Sequence, residues 1–197
     1  MTDVLDVLAG VAPGSRVDAL RRHRTATRAN AQASHEALFT PPFETGVTAA
    51  ERFAVATFVA ALHRADAAHS HYRRLLVEAS GERLATRVDD LAATGAAEGP
   101  YGAFPATADL RDEDLPGLVF SVPATAAAGV GARLAAALEH SHLLVFRPRE
   151  ASPAALEALL AAGWSPSEVV TLSQLVAFLS FQLRVAHGLS ILEESLS

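Results

Sequence analysis

The chain has 197 residues, a mass of 20.6 kDa and a net charge of −6, which at about 150 residues per domain points to one domain, long enough to bury roughly 70% of its unfolded surface. Half of the residues are hydrophobic and 19% are charged, which excludes a disordered chain, and the acidic balance excludes a phosphate-tracking nucleic-acid binder. There is no cysteine, and all 16 basic residues are arginine, which excludes disulfides, thiolate nucleophiles, Cys-ligated metals, lysine Schiff bases and the P-loop lysine.

The pattern is helical nearly throughout, and the 42 alanines favour it. A short helix is predicted from Thr2 to Ala9, stopped by Gly10. After Pro13-Gly14, Ser15 caps a helix running to about Leu38, and its Arg21–Arg28 stretch reads as a solvated face. Pro41-Pro42 ends it. Thr48-Ala-Ala-Glu51 is a capping box that opens an apolar helix, with Phe53, Val55, Ala56, Val59, Ala60 and Leu62 on its pattern. That pattern continues through Tyr72, Leu75 and Leu76 to about Ala79, with a break or restart near His63-Arg64. Glu82 to Thr94 is a further helix closed by Gly95.

Residues 96 to 123 carry Gly99-Pro100, Gly102, Pro105, Pro116-Gly117 and Pro123. An irregular stretch this long is usually functional or a connection. Helices resume near Thr125, with a firm segment from Ala132 to Phe146. Ser152-Pro153 is a cap with proline at the first helical position, and Gly163 closes that helix. Ser165-Pro-Ser-Glu168 is a second capping box. It opens a long helix, apolar nearly all round, to about Leu192, which suits a central helix or a subunit interface. The expected fold class is therefore all-α: a first helical half over about 15–95, an irregular connection over about 96–123 and a second half over about 125–195, the two halves alike in outline. The first ten residues carry acids where a signal peptide needs cations. Ser173, Gln174, Ser180, Gln182 and Arg184 interrupt the most apolar run. The expectation is a soluble cytoplasmic protein, with neither membrane nor nucleic acid as partner.

Two segments resemble the alkylhydroperoxidase D-like, carboxymuconolactone decarboxylase family, in its peroxidase-related branch. Val47-Thr-Ala-Ala-Glu-Arg-Phe-Ala-Val-Ala-Thr-Phe-Val-Ala-Ala-Leu-His-Arg-Ala-Asp-Ala-Ala-His-Ser-His-Tyr72 is similar to the family's capped helix leading into its Cys-x-x-Cys motif. Ala161-Ala-Gly-Trp-Ser-Pro-Ser-Glu-Val, continuing through Gln174 to Leu189, is similar to its C-terminal helix. With the helices before each, the likeness spans about two thirds of the chain. It implies that family's helical fold and a peroxidase-related antioxidant oxidoreductase; the homo-oligomer is expected from the long apolar helices, which one 20.6 kDa chain does not bury alone. Ala65 and Ala68 stand where the paired cysteines belong. Tyr72, beside His71, takes the place of the motif histidine, and Phe53, two residues past Glu51, that of the upstream glutamate. A thiol peroxidase needs one thiolate to attack the peroxide and a second thiol to resolve the product, and alanine does neither. The decarboxylase branch works instead by acid–base chemistry on a small lactone.

The candidate catalytic residues are therefore His63, Asp66, His69, His71, Tyr72 and Glu51. If residues 63 to 71 are helical, His63, Asp66 and His69 share one face. Asp66 then orients an imidazole, or the three hold a metal ion. The competing reading is a polar helix face with solvated histidines. Glu51 already has a capping task, and Tyr72 suits a half-buried core position. His140 and His142 either complete a site or lie exposed near a helix end. Arg64 and Arg184 either grip a carboxylate substrate or sit in salt bridges. Trp164 reads as a packing staple or interface anchor, and Phe178 and Phe181 as core. Three functions stay open: a thiol-free enzyme acting on a small molecule near Ala65 and Ala68, with no cofactor; a non-catalytic binding or assembly partner, for instance of a peroxidase-related protein; and a His/Asp metal-dependent enzyme.

Overall fold

A computed structural model describes residues 3–43, 45–105 and 109–196. Among them are ten α-helices and no β-strand: α1 (Val4–Ala9), α2 (Arg16–Arg22), α3 (Thr25–Phe39), α4 (Ala49–Leu62), α5 (Asp66–Ser80), α6 (Glu82–Thr94), α7 (Ala124–Val130), α8 (Ala132–Phe146), α9 (Pro153–Ala161) and α10 (Pro166–Leu196). The expected all-α class holds. The start predicted at Thr2 lies outside the described residues, and α1 is capped by the Asp3 carboxylate. Gly10 closes it in the left-handed region, φ 66°. Between α6 and α7 the described residues hold one short 3-10 turn, Arg111–Glu113, and one isolated bridge between Gly102 and Leu115.

The core is built round α4, α8 and α10. Ala54, Phe58, Val59 and Ala60 of α4, Ala137 and Leu138 of α8, and Leu172, Leu175 and Leu179 of α10 are fully buried. α10 is long and apolar enough to cross a membrane by length and composition. It packs against α1, α4 and α8. It still leaves Val170, Phe181 and Ile191 outward, each about half exposed. Phe181 therefore departs from the expected core placement, while Phe178 is half-buried against the core.

Both predicted capping boxes form. Thr48 Oγ1 accepts from the Glu51 amide at 3.2 Å while Glu51 Oε2 accepts from the Thr48 amide at 2.8 Å. Glu168 Oε2 accepts from the Ser165 amide at 2.6 Å. Ser152, by contrast, stands at the N-cap of α9 without a side-chain cap bond. Nothing in the sequence pattern couples the two boxes, yet Arg133 joins them. Its guanidinium reaches Glu51 at 2.7 Å and Glu168 at 3.0 Å, and it donates to Gly163 O at 2.6 Å and Gly46 O at 3.2 Å. The same guanidinium lies 4.1 Å over the ring of buried Trp164, whose Nε1 donates to Arg133 O. Trp164 is thus a packing residue.

The helix expected from Ser15 to Leu38 is broken at His23-Arg24 into α2 and α3. The Arg21–Arg28 stretch is not a solvated face as a whole. Arg21 and Arg28 have side chains only 10% and 18% exposed and meet the carboxylates of Asp3 and Asp6. Arg28 and Arg22 also reach Asp18, whose carboxyl is held below the usual range, chiefly by its hydrogen bond from Arg22. The misreading has a physical source. The acids that bury these arginines come largely from α1, about 20 residues upstream, out of reach of any helical spacing rule.

Glu168 has its pKa held down to about 2, first by the Ser165 amide and then by Arg133. A carboxyl with a depressed folded value stabilises the fold above its ordinary pKa of about 4.3 and loses that contribution as pH falls toward 2. Arg133→Ala is expected to cost about 2 kcal/mol at pH 7, from lost charged hydrogen bonds. The deficit should be smaller at pH 3, as read by urea denaturation. An equal deficit at both pH values would remove the ion pairs from this account.

Candidate functional site

The site is set by how α4 ends. His63 N bonds to Val59 O, Arg64 N to Ala61 O and Ala65 N to Ala60 O. Arg64 is held in the left-handed region at φ 55°, where glycine is the usual occupant and another residue costs about 1–2 kcal/mol. The turn re-aims the chain before Asp66 opens α5. His63, Asp66 and His69 therefore do not lie on one continuous helix, and the shared face expected for them is absent. Among the described residues, no group of three or more His, Asp or Glu is placed to hold a metal ion.

Two cavities flank this turn. The first, about 820 Å³, lies between the turn, residues 97–100, α8 and α10, and is lined by Leu62, Leu144, Phe146 and Val176. The second, about 540 Å³, lies between the turn, the C-terminal part of α10 and Leu8 of α1, and includes Asp66, His187 and Glu194. His63, Arg64 and Arg184 border both. His63 is partly buried, and its Nε2 lies 3.5 Å from Ser180 Oγ. Burial, and then the charge of Arg184, lower its pKa, so the imidazole is neutral near pH 7.

The remaining candidates disperse. His69 Nε2 meets Asp89 Oδ1 at 2.9 Å on α6, and Asp89 is also held by Arg73 at 2.7 Å. That network borders neither cavity. His71 is edge-on to Tyr72, 5.1 Å between ring centres. Tyr72 is fully buried rather than half-buried, and its hydroxyl donates to Gln182 Oε1. Burial raises the Tyr72 pKa, which makes it a poor proton donor. Glu51 is engaged by its cap and by Arg133. Of the six, His63 and Asp66 are the ones that line these two cavities.

His140 and His142 are buried rather than exposed near a helix end. His142 Nε2 donates to Gly95 O at 3.0 Å, and its ring packs 5.0 Å from Phe120 and 4.8 Å from Phe146. His140 Nε2 meets Ser173 Oγ at 3.2 Å, and Ser173 lines the first cavity. Both imidazoles are pushed toward the neutral form by burial. Ser173 and Ser180 were not singled out as site residues. Their signal is two hydroxyls seven apart on an apolar helix, which places them on one face two turns apart. Arg64 pairs with Glu98 at 3.5 Å, as a salt-bridge reading expects. Arg184, against that reading, has no ion-pair partner among the described residues.

Fold and site together define an all-α, cysteine-free protein with a cleft beside the α4–α5 turn. Comparison of the chain with protein-family models, with curated proteins and with solved structures finds no match.

His35, unremarked in the sequence, belongs to the core network behind this site. Its Nδ1 lies 3.5 Å from Gln182 Nε2 and its ring 4.6 Å from Phe39. Burial, and then His71, lower its pKa to about 4. Between about pH 6.5 and pH 4 the unfolded state then binds the extra proton, so stability falls as pH falls through that window. NMR titration of His35 is expected to give a midpoint near 4. A midpoint near 6.5 would show that the imidazole is not held neutral.

Proposed function

We propose that this chain is a thiol-free relative of the alkylhydroperoxidase D-like, carboxymuconolactone decarboxylase group. In this reading it binds a small molecule in the first cavity and acts on it by acid–base chemistry at His63. The observation that carries the reading is His63 itself. A neutral, partly buried imidazole stands at the wall of a cavity with hydrocarbon walls and a charged rim, with the Ser180 hydroxyl at 3.5 Å. A neutral imidazole accepts a proton, and a hydroxyl beside it can pass one on. The cavity volume lies within the range of small-molecule sites. The missing cysteines remove peroxide reduction through a disulfide, so no antioxidant turnover is assigned. A cytoplasmic location belongs to the same proposal.

Proton abstraction can be read without knowing the substrate. Deuterium exchange into a panel of small ketones, lactones and oxo acids, followed by NMR, is expected to be about 100-fold or more faster with the native chain than with His63→Gln for at least one member. Cumene hydroperoxide with dithiothreitol is expected to be consumed no faster than without protein. Exchange equal in both proteins across the panel would remove the acid–base role.

A second reading, a self-assembling partner protein, is favoured by one feature. Val170, Phe181 and Ile191 form an exposed row along α10, which Ala177 joins where the row meets the first cavity. The occupant proposed for it is the same row of a second copy, since one helix face repeated on two copies makes a self-complementary contact. Light scattering after size exclusion is expected to give a dimer or larger species, and Phe181→Asp a monomer. A monomeric native chain would end this reading.

A further inference from the structure

The chemistry of the first cavity's rim goes beyond the presence of a pocket. Its charged lining is Arg64, Arg184 and a single acid, Glu98. Glu98 lies 3.5 Å from Arg64, with side chains 85% and 68% exposed, an arrangement that water screens and that is worth little. Among the described residues Arg184 has no carboxylate partner, unlike Arg133, which is held between two, or Arg73, which is held between Glu82 and Asp89. The second cavity differs: Asp66 and Glu194 line it and oppose an anion. An excess of positive charge therefore belongs to the first cavity.

The backbone adds an independent observation. Arg64 occupies the one left-handed non-glycine position among the described residues. Glycine there would relieve the strain, and the arginine side chain is not needed to end α4, since the turn's own backbone bonds do so. The left-handed turn ends α4 whatever side chain it carries, which leaves the Arg64 guanidinium available at the cavity rim. Below this rim the walls are hydrocarbon: Leu62, Leu144, Phe146 and Val176.

We propose that the ligand of this cleft is a carboxylate with an apolar body, its head held by the guanidinium groups of Arg184 and Arg64 and its hydrocarbon part lying on Leu144, Phe146 and Val176. Guanidinium groups fit a carboxylate in forked pairs, and apolar walls reward the removal of hydrocarbon from water. This rests on the first reading of the function and names its substrate class. It also ties binding to chemistry: a bound carboxylate offsets the Arg184 charge that His63 feels, so the imidazole becomes a stronger base only when the cleft is filled.

The test uses decanoate, decanol and acetate as probes, titrated calorimetrically into the purified chain at pH 7.5. Decanoate is expected to bind at least ten times more tightly than decanol, and acetate more weakly than both. Arg184→Ala should abolish the preference for decanoate while leaving decanol binding unchanged, and Arg184→Lys should restore part of it. Arg64→Gly should also reduce the preference, yet raise the melting temperature by relieving the left-handed turn. That combination separates a ligand role from a structural one. Equal binding of decanoate and decanol, or a preference that survives Arg184→Ala, would overturn the anion assignment and leave the cleft standing. Acetate binding as tightly as decanoate would overturn the apolar body. Failure of decanoate and decanol alike would overturn the cleft and the functional reading with it.

Discussion

Arg133 is the constraint on which the rest of this molecule depends. Three core helices begin at one place, and their N-termini bring unpaired amides and positive dipole ends together. Glu51 and Glu168 answer the amides of α4 and α10. Two carboxylates so close would repel each other without a cation between them. Arg133, at the start of α8, supplies that cation and adds bonds to the carbonyls of Gly46 and Gly163 and a face-on contact with Trp164. The ends of α4, α8 and α10 are thereby tied at one point. Where α4 finishes, and hence where the α4–α5 turn meets the side of α10, follows from where these helices start.

Elsewhere the apolar helices are told apart by buried polar contacts. Hydrocarbon packing among alanine, valine and leucine tolerates many alternatives. Tyr72 with Gln182 fixes α5 on α10, and His142 with Gly95 fixes α8 against the end of α6. Arg52 is fully buried and donates to the carbonyls of Val47 and Leu38 and to Thr45 Oγ1, closing the chain between α3 and α4. The Asp3, Asp6 and Asp18 cluster does the same for α1, α2 and α3. Each contact satisfies a group that would otherwise be costly to bury, so each selects one arrangement.

The functional reading rests on what remains after these structural tasks are assigned. Glu51, Tyr72, His69, His71, His140 and His142 all have partners that explain their placement. His63, Ser180 and Arg184 are left at one cleft. Arg184 in particular carries a charge that no acid among the described residues pairs with, and it stands at the rim of the first cavity.

Much of the fold was legible from the residues in order. Helix starts and stops are local chemistry: Thr48 with Glu51, Ser165 with Glu168, and Gly95 after Thr94 set boundaries within a few residues of themselves. The segment from Ala132 to Phe146 was readable for the same reason. The break at His63-Arg64 was visible as a candidate, but its left-handed geometry was not, and that geometry decides whether three residues share a face. What only the tertiary structure decided is the pairing of charges. Asp3 and Asp6 meet Arg21 and Arg28, Glu51 meets Glu168 through Arg133, and Arg184 has no ion-pair partner among the described residues, because electrostatic partners are chosen by proximity in space and helical spacing reports proximity only within about four residues.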